Sequence, residues 1–198
     1  MAAAIRLARV DDVPVLDRVL ADAFFDDPVS DWLLPNTGRR NRALQRSMGH
    51  VMRKTYLPYG GVWTTEEVDA VALWGKPADP KPAALQQLRG LPTFVATYRR
   101  QLPPAIRASR AFEKRRPSQP HWFLDLLAVR PHRQGQGVGS ALVAAALAET
   151  DRLGVPAFLE TSNARTVPLY ERLGFVVSEQ FDVGPVHVWT MLRQPTSG

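Results

Sequence analysis

The densest chemistry in this chain of 198 residues lies in Gln134-Gly135-Gln136-Gly137-Val138-Gly139-Ser140. Glycines at alternate positions let the backbone approach a ligand closely, and these stand where a helix begins. The first turn of a helix has amide N–H groups without intrahelical partners, and the helix dipole adds positive charge there. Such a loop makes a diphosphate site without a lysine. The plain alternative is a glycine-rich turn that packs a strand on a helix. Two other phosphate loops compete with it. A Walker loop ends in Gly-Lys-Ser/Thr, and Gly139-Ser140 lacks the lysine. A dinucleotide fingerprint could start at Gly135-x-Gly137 with Glu160 as its ribose acid. Its third glycine position is Ser140, however, and Arg130–Gln134 separates it from the preceding strand.

That loop must follow a strand and open a helix. Trp122–Val129 is a continuous apolar run, the mark of a buried strand, interrupted only by Asp125. The alanine-rich stretch after Ser140 predicts a helix ending near Leu153, stopped by Gly154 and kept from resuming by Pro156. Ala157–Glu160 reads as the next strand. A short helix begins at Asn163 and ends Tyr170-Glu171-Arg172-Leu173, with Gly174 as its cap; strands over about 175–181 and 186–192 follow, then a tail over 195–198. Upstream, Ile5–Ala8 predicts a short strand. Asp11-Asp12-Val13-Pro14 begins a helix to about Phe25, with Val13, Leu16, Val19, Leu20 and Ala23 at helical spacing. A helical turn is expected over Asp31–Pro35 and a second helix over Arg39–Tyr56. Val62–Thr64 and Val68–Trp74 read as a hairpin joined by Thr65-Glu66-Glu67. Lys76–Pro120 is broken by prolines, among them Pro80, Pro82, Pro92 and Pro104, and reads as two or three short helices linking the halves of one sheet. Its Leu85, Leu88, Phe94, Val95, Ile106 and Phe112 supply packing residues. Elements in this order predict an α/β (α+β) layered domain around a mixed sheet.

Composition narrows the function classes. With 45% hydrophobic and 22% charged residues the chain reads as one globular domain spanning 1–198. It has no cysteine, which excludes a disulfide scaffold, a cysteine zinc site and a cysteine nucleophile. His50, His121, His132 and His187 have no metal-ligand spacing, so no metal is expected. The opening residues lack a signal-peptide core, and Ala141–Ala148 is too short an apolar run to span a bilayer, so a cytoplasmic protein without a membrane partner is expected. A net charge of +6 raises nucleic acid as a partner. Yet Arg39-Arg40-Asn41-Arg42, Arg99-Arg100 and Lys114-Arg115-Arg116 accompany no nucleic-acid module, so no such partner is expected, and they read as a solvated arginine-rich surface.

Leu126-Leu127-Ala128-Val129 followed by Gln134-x-x-Gly137-x-Gly139 resembles the acetyl-CoA-binding strand, loop and helix of GCN5-related N-acetyltransferases, the GNAT family. Asn163, Tyr170 and Gly174-Phe175 resemble that family's second segment. Trp122-Phe123-Leu124, Pro156–Ser162 and Pro168–Phe175 are most similar to its puromycin N-acetyltransferase-like members. The resemblance implies a mixed sheet of six to seven strands flanked by helices. It divides the chain into an acetyl-CoA-binding half (about 120–193), an acceptor-shaping half (about 1–75) and a helical connector (about 76–120). It implies acetyl-CoA as acetyl donor and a small-molecule amine, an antibiotic or aminonucleoside included, as acceptor, in a monomer or homodimer. A protein or peptide acetyltransferase and a non-catalytic acyl-CoA sensor are the alternatives. The fourth strand should part from its neighbour near Leu126–Val129, so that Leu127, Ala128 and Val129 meet the pantetheine arm, while the amides of Gln136–Ser140 hold the diphosphate, with Gln134, Gly135, Asn163 and Tyr170 also at the cofactor. A free N–H near Val129 would stabilise the developing oxyanion. Tyr170 is the candidate acid for the leaving thiolate, its alternative being a core aromatic. Glu160, at a strand end, and Asp125, a carboxylate in an apolar strand, are candidate bases beside a water chain. Asp26, Asp27 and Trp32 follow the first helix, where the family shapes its acceptor pocket; acids beside an aromatic suit a cationic amine, or are simply an ordinary helix terminus.

Overall fold

The computed structural model describes residues 3–77 and 84–196, without the side chains of 84–89. Pro80, Pro82, the side chains of Leu85 and Leu88, and Ser197-Gly198 of the expected tail lie outside the described residues.

The strands are β1 (Ile5–Leu7), β2 (Val62–Thr65), β3 (Ala70–Gly75), β4 (Trp122–Val129), β5 (Ala157–Thr161), β6 (Val176–Val183) and β7 (Val186–Arg193). They form one seven-stranded sheet in the order β1-β2-β3-β4-β5-β7-β6. Every pairing is antiparallel except β4 with β5. The helices are α1 (Val13–Ala23), α2 (Pro28–Leu33), α3 (Thr37–Val51), α4 (Ala84–Tyr98), α5 (Leu102–Glu113), α6 (Val138–Leu153) and α7 (Val167–Arg172). No helix among the described residues is long and apolar enough to cross a membrane.

The helices cover both faces of the sheet. On one face α6 buries Val138, Leu142, Val143, Ala146 and Leu147 against Ala70, Ala72, Leu124 and Leu159, with Tyr170 of α7 in the same cluster. On the other, α1 buries Val13, Leu16, Val19 and Leu20 against Val62, Val71, Leu73 and Ala128, with Met52 and Tyr56 beside them. Those four α1 side chains are at most 5% exposed, and each contributes about 1.5–3 kcal/mol. Further along the same face, Leu33 of α2 and Ala105 and Ala108 of α5 cover Phe181, Val183, Val186 and Val188 of the β6–β7 hairpin. The connector thus lies over the C-terminal strands.

Four local features depart from the sequence reading. Val68 has φ +54°, a turn conformation, so the second hairpin strand starts at Ala70. The helix expected to reach Tyr56 is α-helical only to Val51 and finishes as a π-helical turn over Met52–Tyr56, after which Leu57–Tyr59 forms a 3-10 turn. Arg40 is 3% exposed and not part of a solvated surface. It donates to the carbonyls of Leu34 (2.7 Å) and Phe25 (2.9 Å) and pairs with Asp31 (2.7 Å), tying α3 to the loops around α2. Arg115 and Arg116 sit over aromatic rings, at 3.6 Å from the Phe181 centroid and 4.0 Å from that of Phe123.

Two irregularities in β4 matter most. Leu73 pairs with Leu126 while Trp74 pairs with Leu124. Asp125 is therefore the extra residue of a β-bulge, which bends the strand and re-aims its side chains. Beyond that point β4 leaves β5: the parallel register covers only Trp122–Leu124, whereas pairing with β3 continues to Val129. A wedge opens between β4 and β5.

Candidate active site

The loop entering α6 is held by its own side chains. Arg133 pairs with the Asp69 carboxylate (2.8 Å), Gln136 Nε2 donates to the His132 carbonyl (2.8 Å), and Gln134 Nε2 donates to the Val129 carbonyl (3.0 Å). With those side chains engaged, the loop presents backbone. Gly135 (φ +73°) and Gly137 (φ +79°) are left-handed, which strains an L side chain, and a Cβ on either would meet nothing within 4 Å. Gly137 is the N-cap of α6, a helix of 16 residues whose first-turn amides have no partner within the helix. Gly139 has a different task. Its Cβ would lie 3.4 Å from Val129 Cγ2 and 3.7 Å from Leu127 Cδ2, so glycine sets how closely α6 approaches β4. Open space, free amides and a positive helix end fit a diphosphate.

Ladder geometry decides which groups of β4 reach the wedge. The Arg130 N–H donates to the Asp69 carbonyl (2.9 Å). By the alternation of an antiparallel ladder, Leu126 and Ala128 also turn their backbone groups toward β3, and Leu127 and Val129 turn theirs toward the opened edge. The Val129 carbonyl is occupied by Gln134. Its N–H and the Leu127 groups remain to pair with an extended, amide-bearing ligand as an added strand would.

The carboxyl candidates come together on the α1 face of the sheet. Phe123 and Phe158 are register partners, stacked at 6.0 Å, and His121 packs edge-on to Phe158 at 5.6 Å. Two residues further along each strand come Asp125 and Glu160 on the same face. Both are half-buried. The Tyr56 hydroxyl, from the π-helical turn, donates to Asp125 Oδ2 (2.9 Å). Burial pushes the Asp125 carboxyl up, opposed by the Arg116 charge and the Tyr56 hydrogen bond. Burial pushes Glu160 from 4.5 to about 7; Arg116 pulls it back, Asp125 adds to the rise, and Arg115 opposes it. Glu160 Oε1 is buried without a hydrogen-bond partner among the described residues. A carboxylate that is desolvated, unpaired and near neutrality is equipped to accept a proton.

Tyr170 is 6% exposed, within the cluster on the α6 face, edge-on to Phe175 at 6.0 Å. Burial raises its phenol above the usual value, which keeps it protonated. Asn163 is exposed, and its side chain accepts the Arg165 N–H (3.1 Å), capping the turn before α7.

Asp26, Asp27 and Trp32 have different surroundings, and Asp27 is tied to Ser162, two residues beyond Glu160. Asp26 is exposed after α1. Asp27 caps α2 through the Val29 N–H (2.9 Å) and accepts the Ser162 hydroxyl (3.1 Å); burial raises its pKa against those hydrogen bonds. Trp32 packs against the β6–β7 turn, where a Cβ on Gly184 would meet its ring at 2.4 Å. Tyr56 and Arg116 were absent from the sequence candidates. Tyr56 lies 69 positions from Asp125, and Arg116 stands in a basic run that looks like ordinary surface.

The family model described as Acetyltransferase (GNAT) family matches residues 57–175, more than half of the chain. An uncharacterized N-acetyltransferase of Schizosaccharomyces pombe is 26% identical over 192 residues, covering 89% of this chain and 77% of that protein. The crystal structure of histone acetyltransferase HPA2 and related acetyltransferase from Corynebacterium glutamicum superposes with a TM-score of 0.77 at 24% identity, covering 100% of this chain and 99% of that one. Mosquito arylalkylamine N-acetyltransferase like 5b has the same fold, with a TM-score of 0.59 at 13% identity over 98% of this chain and 100% of its own.

Proposed function

The chain belongs to the acetyltransferase (GNAT) family, and from that premise we propose that it moves the acetyl group of acetyl-CoA directly to the amine of a small molecule. The observation that carries this reading is Glu160, whose Oε1 has no hydrogen-bond partner among the described residues and whose carboxyl is pushed up to about 7 by burial, beside the wedge between β4 and β5. Bound acetyl-CoA supplies the acetyl thioester and a thiolate that leaves readily. The amides of Gly135–Ser140 hold the diphosphate and the edge of Leu127 and Val129 aligns the pantetheine arm. Asp125, oriented by Tyr56, attracts the acceptor's ammonium, which gives one proton to water to become the free amine, and Glu160 takes the second proton that the nitrogen loses as it attacks. As the C–N bond forms and the C–S bond breaks, the Val129 N–H donates to the carbonyl oxygen and Tyr170 gives its proton to the sulfur. Water returns a proton to Tyr170 and removes one from Glu160, which restores both.

Two features favour a small acceptor over a peptide. The connector covers Phe181 and Val188 through α5 and continues to Arg116 over Phe123, so the acceptor side is roofed. Glu160 and Asp125 are half-buried, out of reach of a protein's flat surface. The relatives' names include both a histone and an arylalkylamine acetyltransferase, so the acceptor is decided by experiment. Acetylation read by mass across amine antibiotics, aminonucleosides, polyamines, amino acids and peptides should yield singly acetylated small amines with release of free CoA. Acetylation of peptides alone would overturn the acceptor class. Acetyl-CoA binding without CoA release from any amine would make the protein a sensor.

A further inference from the structure

Arg116 stands beside the two carboxyls without pairing with either. It follows α5, where its N–H donates to the Glu113 carbonyl (3.3 Å) and its guanidinium caps the Phe123 ring at 4.0 Å. Phe123 is two residues from Asp125 on β4, and Phe158, stacked on Phe123, is two residues from Glu160 on β5. The guanidinium is therefore held on the aromatic floor that adjoins the carboxyl pair. Its charge is felt by both Asp125 and Glu160, yet it makes no ion pair with any described residue. Its neighbour Arg115 differs: it is committed to Glu179 at 3.0 Å.

A planar guanidinium lying over a ring, with no carboxylate partner among the described residues, presents a fork of N–H donors that matches a carboxylate or phosphate. On the proposed reading, the acceptor nitrogen lies at Glu160 and Asp125, within the field of that same guanidinium. We propose that Arg116 is a specificity-determining residue that binds an oxyanion on the acceptor, so that the preferred substrate is an amine carrying a carboxylate or phosphate. A plain cationic amine gains from Asp125 and Glu160 but meets repulsion from Arg116. An amino acid satisfies both signs.

This inference rests on the acetyl-transfer reading, so its test contains an arm that needs no turnover. The first arm compares kcat/KM for phenylalanine, phenylalaninamide and phenethylamine, and for phosphoethanolamine against ethanolamine, in the parent and in Arg116→Gln. Each comparison is a ratio within one variant, so any change in Glu160 basicity caused by losing the neighbouring charge cancels. A charge-assisted contact predicts a preference of about tenfold to a hundredfold for the anionic member in the parent, falling to about one in Arg116→Gln. Which pair shows the preference separates carboxylate from phosphate. The second arm measures binding of N-acetylphenylalanine and its amide by calorimetry in both proteins with CoA present. Tighter binding of the acid in the parent, lost in Arg116→Gln, supports the anion site whether or not an acceptor has been found. Acetylation of neutral amides and simple amines as efficiently as of their anionic counterparts would overturn the inference while leaving acetyl transfer intact. Equal binding of acid and amide to the parent would overturn it independently of activity.

Discussion

Replacing Glu160 by glutamine should slow the enzyme and stabilise the protein at the same time, and both effects should grow as pH rises through about 7. The carboxyl is pushed from 4.5 to about 7 chiefly by burial. Holding the ionised form in the fold costs about 3 kcal/mol at pH well above 7, at about 1.4 kcal/mol per pH unit of displacement. Because the folded value is the raised one, the stability associated with this group is fully present below 4.5 and is lost as pH rises through about 7. Glutamine keeps the shape and cannot ionise. The variant should therefore melt at the parent temperature at pH 4.5 and above it at pH 8.5. For a chain of this size 1 kcal/mol moves the midpoint by about 2–4 °C, and with part of the penalty relieved by water at a half-buried site a rise of about 3–6 °C is expected. Activity moves the other way. The parent's kcat/KM should climb with pH and level off above about 7, as Glu160 loses its proton; Glu160→Gln should lie about 10²–10⁴ below that plateau. Thermal melts at pH 4.5, 7 and 8.5, with kcat/KM over the same range, make the measurement. A variant with parental activity and an unchanged difference in melting temperature at every pH would refute both the proton-acceptor role and the burial argument beneath it.

Tyr170→Phe should lower kcat by about 10²-fold, the low end for general acids because thiolates leave readily, with little change in KM or melting temperature; a parental turnover number would make Tyr170 a packing residue. Gly137→Ala forces a side chain into φ +79°, and Gly139→Val drives a branched side chain into Val129 and Leu127. Both should remove most of the rise in melting temperature that acetyl-CoA gives the parent by binding the native state, and an undiminished rise in folded variants would contradict the diphosphate site. Tyr56→Phe deprives Asp125 of its hydroxyl donor, so the Asp125 pKa should climb further, with acceptor KM rising by about tenfold and acetyl-CoA KM unchanged. Equal changes in both KM values would mean a general loss of structure. Without a cysteine to carry an acyl group, double-reciprocal plots should intersect; parallel lines, or protein heavier by one acetyl during turnover, would count against direct transfer.

The half of the chain after Trp122 is legible from residue order because its signals are local. Gly154 ends α6 with φ +65° just where the alanine-rich run stops, and β4 spans Trp122–Val129 as its apolar run predicts. The glycine loop is legible for the same reason: φ above zero and free first-turn amides are properties of a few adjacent residues. Up to Tyr56 the sequence locates the helices but not their irregular ends. A π-helical turn and the left-handed Val68 depend on what the neighbouring segments require, and no periodicity encodes that requirement.

What the order of residues determined alone was the sequence of elements, the glycine turn that opens α6 and the presence of Glu160, Asp125 and Tyr170 as titratable candidates. Tertiary structure decided which of these groups act on one another. Asp125 meets the Tyr56 hydroxyl where a bulge interrupts β4, and Arg116 lies over Phe123 beyond the end of α5. Asp27 caps α2 and accepts the Ser162 hydroxyl, and Trp32 packs on the β6–β7 turn, contacts that composition does not show. The physical reason is that a proton affinity or an ion contact depends on distance and on the exclusion of water. Residues far apart in the chain acquire those properties only when the sheet brings them side by side.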